Sequence, residues 1–147
     1  MEEKDFITNS ARETEDLGTE LAHNFQIGDI VVLSGELGAG KTTFVQGVAK
    51  ALNVKSRVIS PTFVLVRRHR GKFDQRKINL YHIDLYRLGD SEEIKNLGLD
   101  DIFEDPNGIF FIEWGEKHQT LKASWQIDFE VLNKNKRKII IRNYVQS

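Results

Sequence analysis

The chain has 147 residues, 39% of them hydrophobic and 29% charged, with a formal net charge of −1 and no cysteine. That size and balance predict one domain over residues 1–147 with a real core; they exclude a strong overall positive field for nucleic acid, disulfides, thiol nucleophiles and thiolate zinc sites. No apolar stretch reaches the length of a membrane span, and none follows the acidic start as a secretory leader would, so the expectation is a cytoplasmic protein with no membrane partner.

The acidic start, Met-Glu-Glu-Lys-Asp, is assigned no element. Ser10 with Glu13 reads as a capping box for a helix that carries Leu17, Leu21 and Phe25 on one face and ends at Gly28-Asp29. A short strand of β-branched character follows at residues 30–34. Residues 35–42 then read Gly-Glu-Leu-Gly-Ala-Gly-Lys-Thr, a complete G-x-x-x-x-G-K-[ST] loop. After it, Phe44, Val45, Val48, Ala49 and Leu52 recur at helical spacing over about 41–52, with Asn53 as the stop. Chance gives such a match in on the order of 0.5% of chains this long, before the flanking strand and helix are required.

The context gives the loop its chemistry. At a strand-to-helix turn the backbone N–H groups of Glu36, Leu37, Gly38, Ala39, Gly40, Lys41, Thr42 and Thr43 can converge on an anion at the positive end of the helix. Lys41 supplies a point charge for β- and γ-phosphates, and the Thr42 hydroxyl can ligate Mg²⁺. The ligand expected here is a nucleotide.

Ser60-Pro61-Thr62 is a loop, and Thr62 is a candidate switch hydroxyl for the γ-phosphate and its metal, or ordinary loop chemistry. Residues 63–70 and 77–84 read as an antiparallel hairpin turning around Gly71. Arg67, Arg68, His69, Arg70, Lys72, Arg76 and Lys77 make this hairpin, residues 67–77, strongly basic. It suits RNA phosphates, an acidic protein surface, or plain solvation. Asp90 with Glu93 caps a short helix ending near Leu97-Gly98, and Asp105-Pro106-Asn107-Gly108 is a turn before the buried strand 109–112. In the tail, Trp125, Ile127, Phe129 and Val131 alternate on one face, and a second run from Lys138 to Val145 closes a terminal hairpin around Asn133-Lys134-Asn135. The fold class expected is α/β: a P-loop NTPase-like sheet with parallel core strands, antiparallel hairpin edges and helices on both faces.

Two acids close predicted strands, where open α/β sheets bind ligands. Glu113 follows Ile109–Ile112 as a Walker B carboxylate would, and Asp84 follows Ile83. Each is a metal-shell candidate for bound Mg²⁺, with Asp84 also suited to orient water; the alternative is a solvated carboxylate or a salt bridge to a neighbour such as Arg87. Trp114 either stacks near a nucleotide or packs, and His82, on the face of Asp84, reads more readily as a core histidine. A guanine-reading Asn-Lys-x-Asp is absent, since Asn133-Lys134-Asn135-Lys136 carries Lys where Asp is needed, so ATP is preferred to GTP.

Together, Leu37-Gly38-Ala39-Gly40-Lys41-Thr42-Thr43, Ser60-Pro61-Thr62-Phe63, His82-x-Asp84-Leu85-Tyr86-Arg87 and Glu113-Trp114 resemble, in order and spacing, the TsaE (YjeE) family of bacterial ATPases, over roughly residues 8–118. The resemblance implies a part in making N6-threonylcarbamoyladenosine on tRNA, with a TsaD transferase and its TsaB partner, driven by ATP and Mg²⁺. It implies catalytic roles for Lys41, Thr62 and Asp84, metal ligation by Thr42 and Glu113, and a place near the nucleotide for Thr14 and Trp114. It assigns nothing to the basic hairpin or the tail. The tRNA is met either indirectly or through residues 67–77. Two other readings stay open: a nucleotide-gated binding module with incidental hydrolysis, and a kinase for a small acceptor.

Overall fold

The computed structural model describes residues 2–58, 66–85, 98–114 and 121–144. Its seven strands are β1 (Glu2–Thr8), β2 (Ile30–Ser34), β3 (Val66–Phe73), β4 (Arg76–Asp84), β5 (Gly108–Glu113), β6 (Trp125–Val131) and β7 (Arg137–Asn143). Its helices are α1 (Ala11–Leu21), continued by a 3₁₀ turn at Ala22–Asn24, α2 (Lys41–Ala51) and the short α3 (Leu99–Phe103). One sheet runs in the order β1-β7-β6-β2-β5-β4-β3. The four middle strands are parallel, while β1/β7, β7/β6 and β3/β4 pair antiparallel. The expected parallel core with hairpin edges is therefore present.

The two faces of the sheet are covered differently. On one face, Val31 and Leu33, Leu80, Ile109 and Phe111, Ile127 and Ile139 pack under α1 and α2 through Leu17, Phe44, Val45 and Val48. On the other, Tyr81, Ile83, Phe110 and Ile112 meet Leu99, Ile102 and Phe103 of α3. The period-two alternation of β4 and β5 sends neighbouring residues to opposite cores. No helix among the described residues is long and apolar enough to cross a membrane.

Caps explain the helix ends. Ser10 Oγ accepts from Glu13 N–H at 3.1 Å, but Glu13 returns its bond to the N–H of Asn9 (3.0 Å) rather than to that of Ser10. α2 stops in a Schellman arrangement, with Asn53 left-handed (φ 58°) and Val54 N–H bonded to Ala49 O at 3.0 Å.

Several sequence expectations need correction. The acidic start forms β1, an edge strand held by β7; Phe6 packs inward and Glu3 pairs with Arg142 at 2.8 Å. The first helix ends at Leu21, short of Phe25, which is buried beyond the 3₁₀ turn. The β3–β4 turn is at Asp74-Gln75, three residues beyond Gly71, which pairs with Ile78 inside the ladder. Gly71 is there for closeness: a Cβ would stand 2.5 Å from Leu52 O, where the end of α2 meets β3. β7 begins at Arg137 and ends at Asn143, and Val131, expected to face inward, is exposed at the end of β6. The helix expected over 90–97 lies outside the described residues.

Candidate functional site

Residues 35–40 join a central parallel strand to a helix, so the loop lies at the carboxyl end of the sheet. The bend uses left-handed backbone at Gly38 (φ 79°) and at Gly40 (φ 105°), the N-cap of α2. Ala39 N–H closes the turn onto Glu36 O at 3.1 Å. No described residue accepts from the N–H groups of Lys41, Thr42 or Thr43. These donors, with the helix dipole behind them, suit an anion.

Lys41 is only 4% exposed. Its Nζ donates to Gly35 O at 2.6 Å, stands 3.5 Å from Glu113 Oε1 and lies 5.5 Å from the centre of the Trp114 ring. The ammonium is thus aimed across the mouth of the sheet. Trp114 takes that place by adopting left-handed backbone, φ 63°, which is strained for a bulky residue.

Glu113 ends β5 and Asp84 ends β4, and the parallel register makes them direct partners. Both are buried, on the α2 face. His82, two residues before Asp84, puts Nε2 2.8 Å from Glu113 Oε2. An ionised carboxylate only accepts, so Nε2 carries the proton of that bond. Burial pushes the Glu113 carboxyl up, but the His82 hydrogen bond and charge, and then Lys41, outweigh it and hold Glu113 below the usual range. A carboxylate that stays ionised suits a cation better than it suits a general base.

The donor set fits Mg²⁺. Glu113, Asp84 and the Thr42 hydroxyl offer hard oxygens at one end of the sheet, beside the loop expected to hold phosphates. No group of three His, Cys, Asp or Glu side chains able to hold a metal occurs among the described residues. An ion here would complete its shell with phosphate and water.

Of the residues singled out from sequence, the structure brings together Lys41, Asp84, Glu113, Trp114 and the loop. Thr62 and Arg87 lie outside the described residues. Thr14 is buried beside the loop; its Cγ2 is the nearest atom to the position of a Cβ on Gly40, and its hydroxyl is tied to Thr8 Oγ1 at 2.8 Å. His82, read as a core histidine, is fully buried and also the partner of Glu113.

The turn expected at Asn133-Lys134-Asn135 is present between β6 and β7, but sequence reasoning did not bring it to the site. A cavity of about 130 Å³ beside the loop is lined by Thr14, Gly38, Gly40 and Thr43 on one side and by Lys134, Asn135 and Arg137 on the other. Arg137 Nη2 donates to Gly38 O at 3.2 Å, tying the turn to the loop. No motif marks these residues; only the sheet order, with β6 beside β2, carries them there.

The basic hairpin is less uniform than its composition. His69 is buried, with Nδ1 2.8 Å from Ser56 Oγ, and burial, then His82 and Arg67, lower its pKa. Arg67 faces His82 across the ladder. Arg76 donates to Pro106 O and Asn107 Oδ1. Arg68, Arg70, Lys72 and Lys77 are the other exposed cations of the hairpin.

Comparison with known proteins identifies the family. A family model described as threonylcarbamoyl adenosine biosynthesis protein TsaE matches residues 8–139. A tRNA threonylcarbamoyladenosine biosynthesis protein TsaE from Aquifex aeolicus is 39% identical over 140 residues, 94% of this chain and 95% of that one. Its counterpart from Rickettsia prowazekii is 37% identical over 132 residues, 88% of each. The crystal structure of Bacillus subtilis YdiB superimposes with a TM-score of 0.73 at 25% identity, covering 98% of this chain and 87% of that one.

Proposed function

We propose, from the premise that the chain belongs to the TsaE family and so to tRNA threonylcarbamoyladenosine biosynthesis, that it is the ATP-binding and ATP-hydrolysing member of that pathway. The observation that carries this reading is Lys41: a buried ammonium at the start of α2, directed between loop and carboxylates. In this reading the loop amides and Lys41 clasp the polyphosphate, and the base side lies toward Thr14, Asn135 and Arg137. Thr42 and Glu113 would hold Mg²⁺, which would supply charge neutralisation for the triphosphate. His82 keeps Glu113 ionised and oriented, and Asp84 positions the attacking water. Thr62 is assigned the γ-phosphate side on the family resemblance alone.

The partners in this reading are a TsaD transferase and TsaB, with tRNA met through them or through the hairpin. Turnover by the lone protein should be slow. Among the described residues no arginine is placed at the γ-phosphate side, and such a group is worth roughly 10³–10⁵ in rate. The test is ADP release by the full chain with and without TsaD, TsaB and tRNA, with Lys41→Ala as control. Turnover raised at least tenfold by the partners and abolished in Lys41→Ala supports the reading. Hydrolysis by the lone chain at the rate of the full assembly contradicts it. An Asp84→Asn variant that binds ATP and still sustains full modification without turnover would instead make the chain a nucleotide-gated binding module.

A further inference from the structure

At the end of the sheet opposite the loop lies a cavity of about 610 Å³, where the N-terminal ends of β4 and β5 meet the C-terminal end of α2. Four separate segments line it. Lys55 comes from the stretch after α2, Arg70 and Lys72 from β3, and Lys77 from β4, with Asn53 and Asn107 between them. All four cations are exposed, and among the described residues none is in an ion pair with a carboxylate. The nearby acid Asp105 is occupied by Tyr81 (2.6 Å) and Asn79 (2.8 Å). In a chain of net charge −1, four unpaired cations around one hollow form a segregated positive field.

We infer that this cavity is a second binding site, for the phosphodiester backbone of RNA, separate from the nucleotide loop. Unpaired lysine and arginine neutralise phosphates, and amide side chains add neutral donors and acceptors for phosphate oxygens and 2′-hydroxyls. Among the described residues the lining contains no aromatic ring, so no base is stacked by them and recognition is of the backbone. An acidic protein partner fits less well. Specific protein interfaces place apolar anchors at their centre, and among the described residues Ile78 is the one large apolar residue in this lining, itself buried. The site does not rest on the ATPase reading, because none of its residues belongs to the loop or its carboxylates.

The test uses the full chain and a labelled unmodified tRNA transcript, with anisotropy read over a series of salt concentrations and poly-glutamate as competitor. Wild type should bind with an affinity that falls steeply with salt. The triple variant Arg70→Gln/Lys72→Gln/Lys77→Gln should lose at least about tenfold in affinity, and its log–log salt slope should shrink by about 2. Lys41→Ala should bind RNA like wild type, and the triple variant should bind ATP like wild type. That last pair separates failure of this site from failure of the nucleotide reading. RNA affinity unchanged in the triple variant overturns the proposal, as does poly-glutamate displacing RNA at equal charge concentration, which would assign the cavity to an acidic protein.

Discussion

Glu113 is the residue on which the site's electrostatics turn. It is nearly solvent-free, yet held ionised by His82 on one oxygen and Lys41 on the other. Because its folded pKa is lowered, its stabilisation is present above the ordinary carboxyl value of 4.5 and lost as pH falls through the folded value. Urea unfolding of wild type should therefore lose stability at the acid end, and Glu113→Gln should flatten that limb. An unchanged limb would mean the carboxylate is not clamped. His82→Ala should cost about 3 kcal/mol in the same measurement, since removing one partner leaves a buried charge less compensated. It should also weaken Mg²⁺-dependent ATP affinity more than affinity measured without the metal. Little of the His82 role was legible beforehand. A histidine in an apolar strand looks the same in sequence whether it fills a core or meets an acid one strand away.

At the scale of elements, the loop is held by the packing of α1 on α2. The contact is close because Gly47 has no side chain: a Cβ there would run into the carbonyl oxygen of Glu15, and Thr19 Oγ1 donates to Gly47 O at 3.0 Å. Gly47→Ala should cost about 1–3 kcal/mol through overpacking. For a chain of this size that lowers Tm by roughly 2–10 °C, and displacing α2 should weaken ATP binding in parallel. A variant with wild-type Tm would show that the helices can part without strain. The strand-loop-helix unit was legible because its signals are local: β-branched residues, fixed glycines, then helical spacing. β1 was not, since Glu2–Thr8 carries only two large apolar residues and becomes a strand by borrowing the edge of β7. The β3–β4 turn was misplaced because Gly71 answers to the crowding of Leu52, not to a turn.

Across the whole molecule, the parallel core sets a polarity. Carboxyl ends of β2, β4 and β5 gather the loop, Asp84 and Glu113, while the opposite end gathers Lys55, Arg70, Lys72 and Lys77, which pair with no carboxylate among the described residues. The order β7-β6-β2 brings Arg137 to Gly38 across 99 residues of chain. Such long-range placement was illegible from spacing, and so the tail looked unrelated to the site. Main-chain amides and Lys41 are expected to bind a nucleoside triphosphate together. The direct measurement is isothermal titration of ATP with magnesium into the full chain and its Lys41→Ala variant, at two temperatures. Wild type is predicted to show saturable one-site binding, with affinity reduced at least about tenfold in the variant. No binding by wild type, alone or with TsaD and TsaB added, or equal binding by the variant, would contradict this reading.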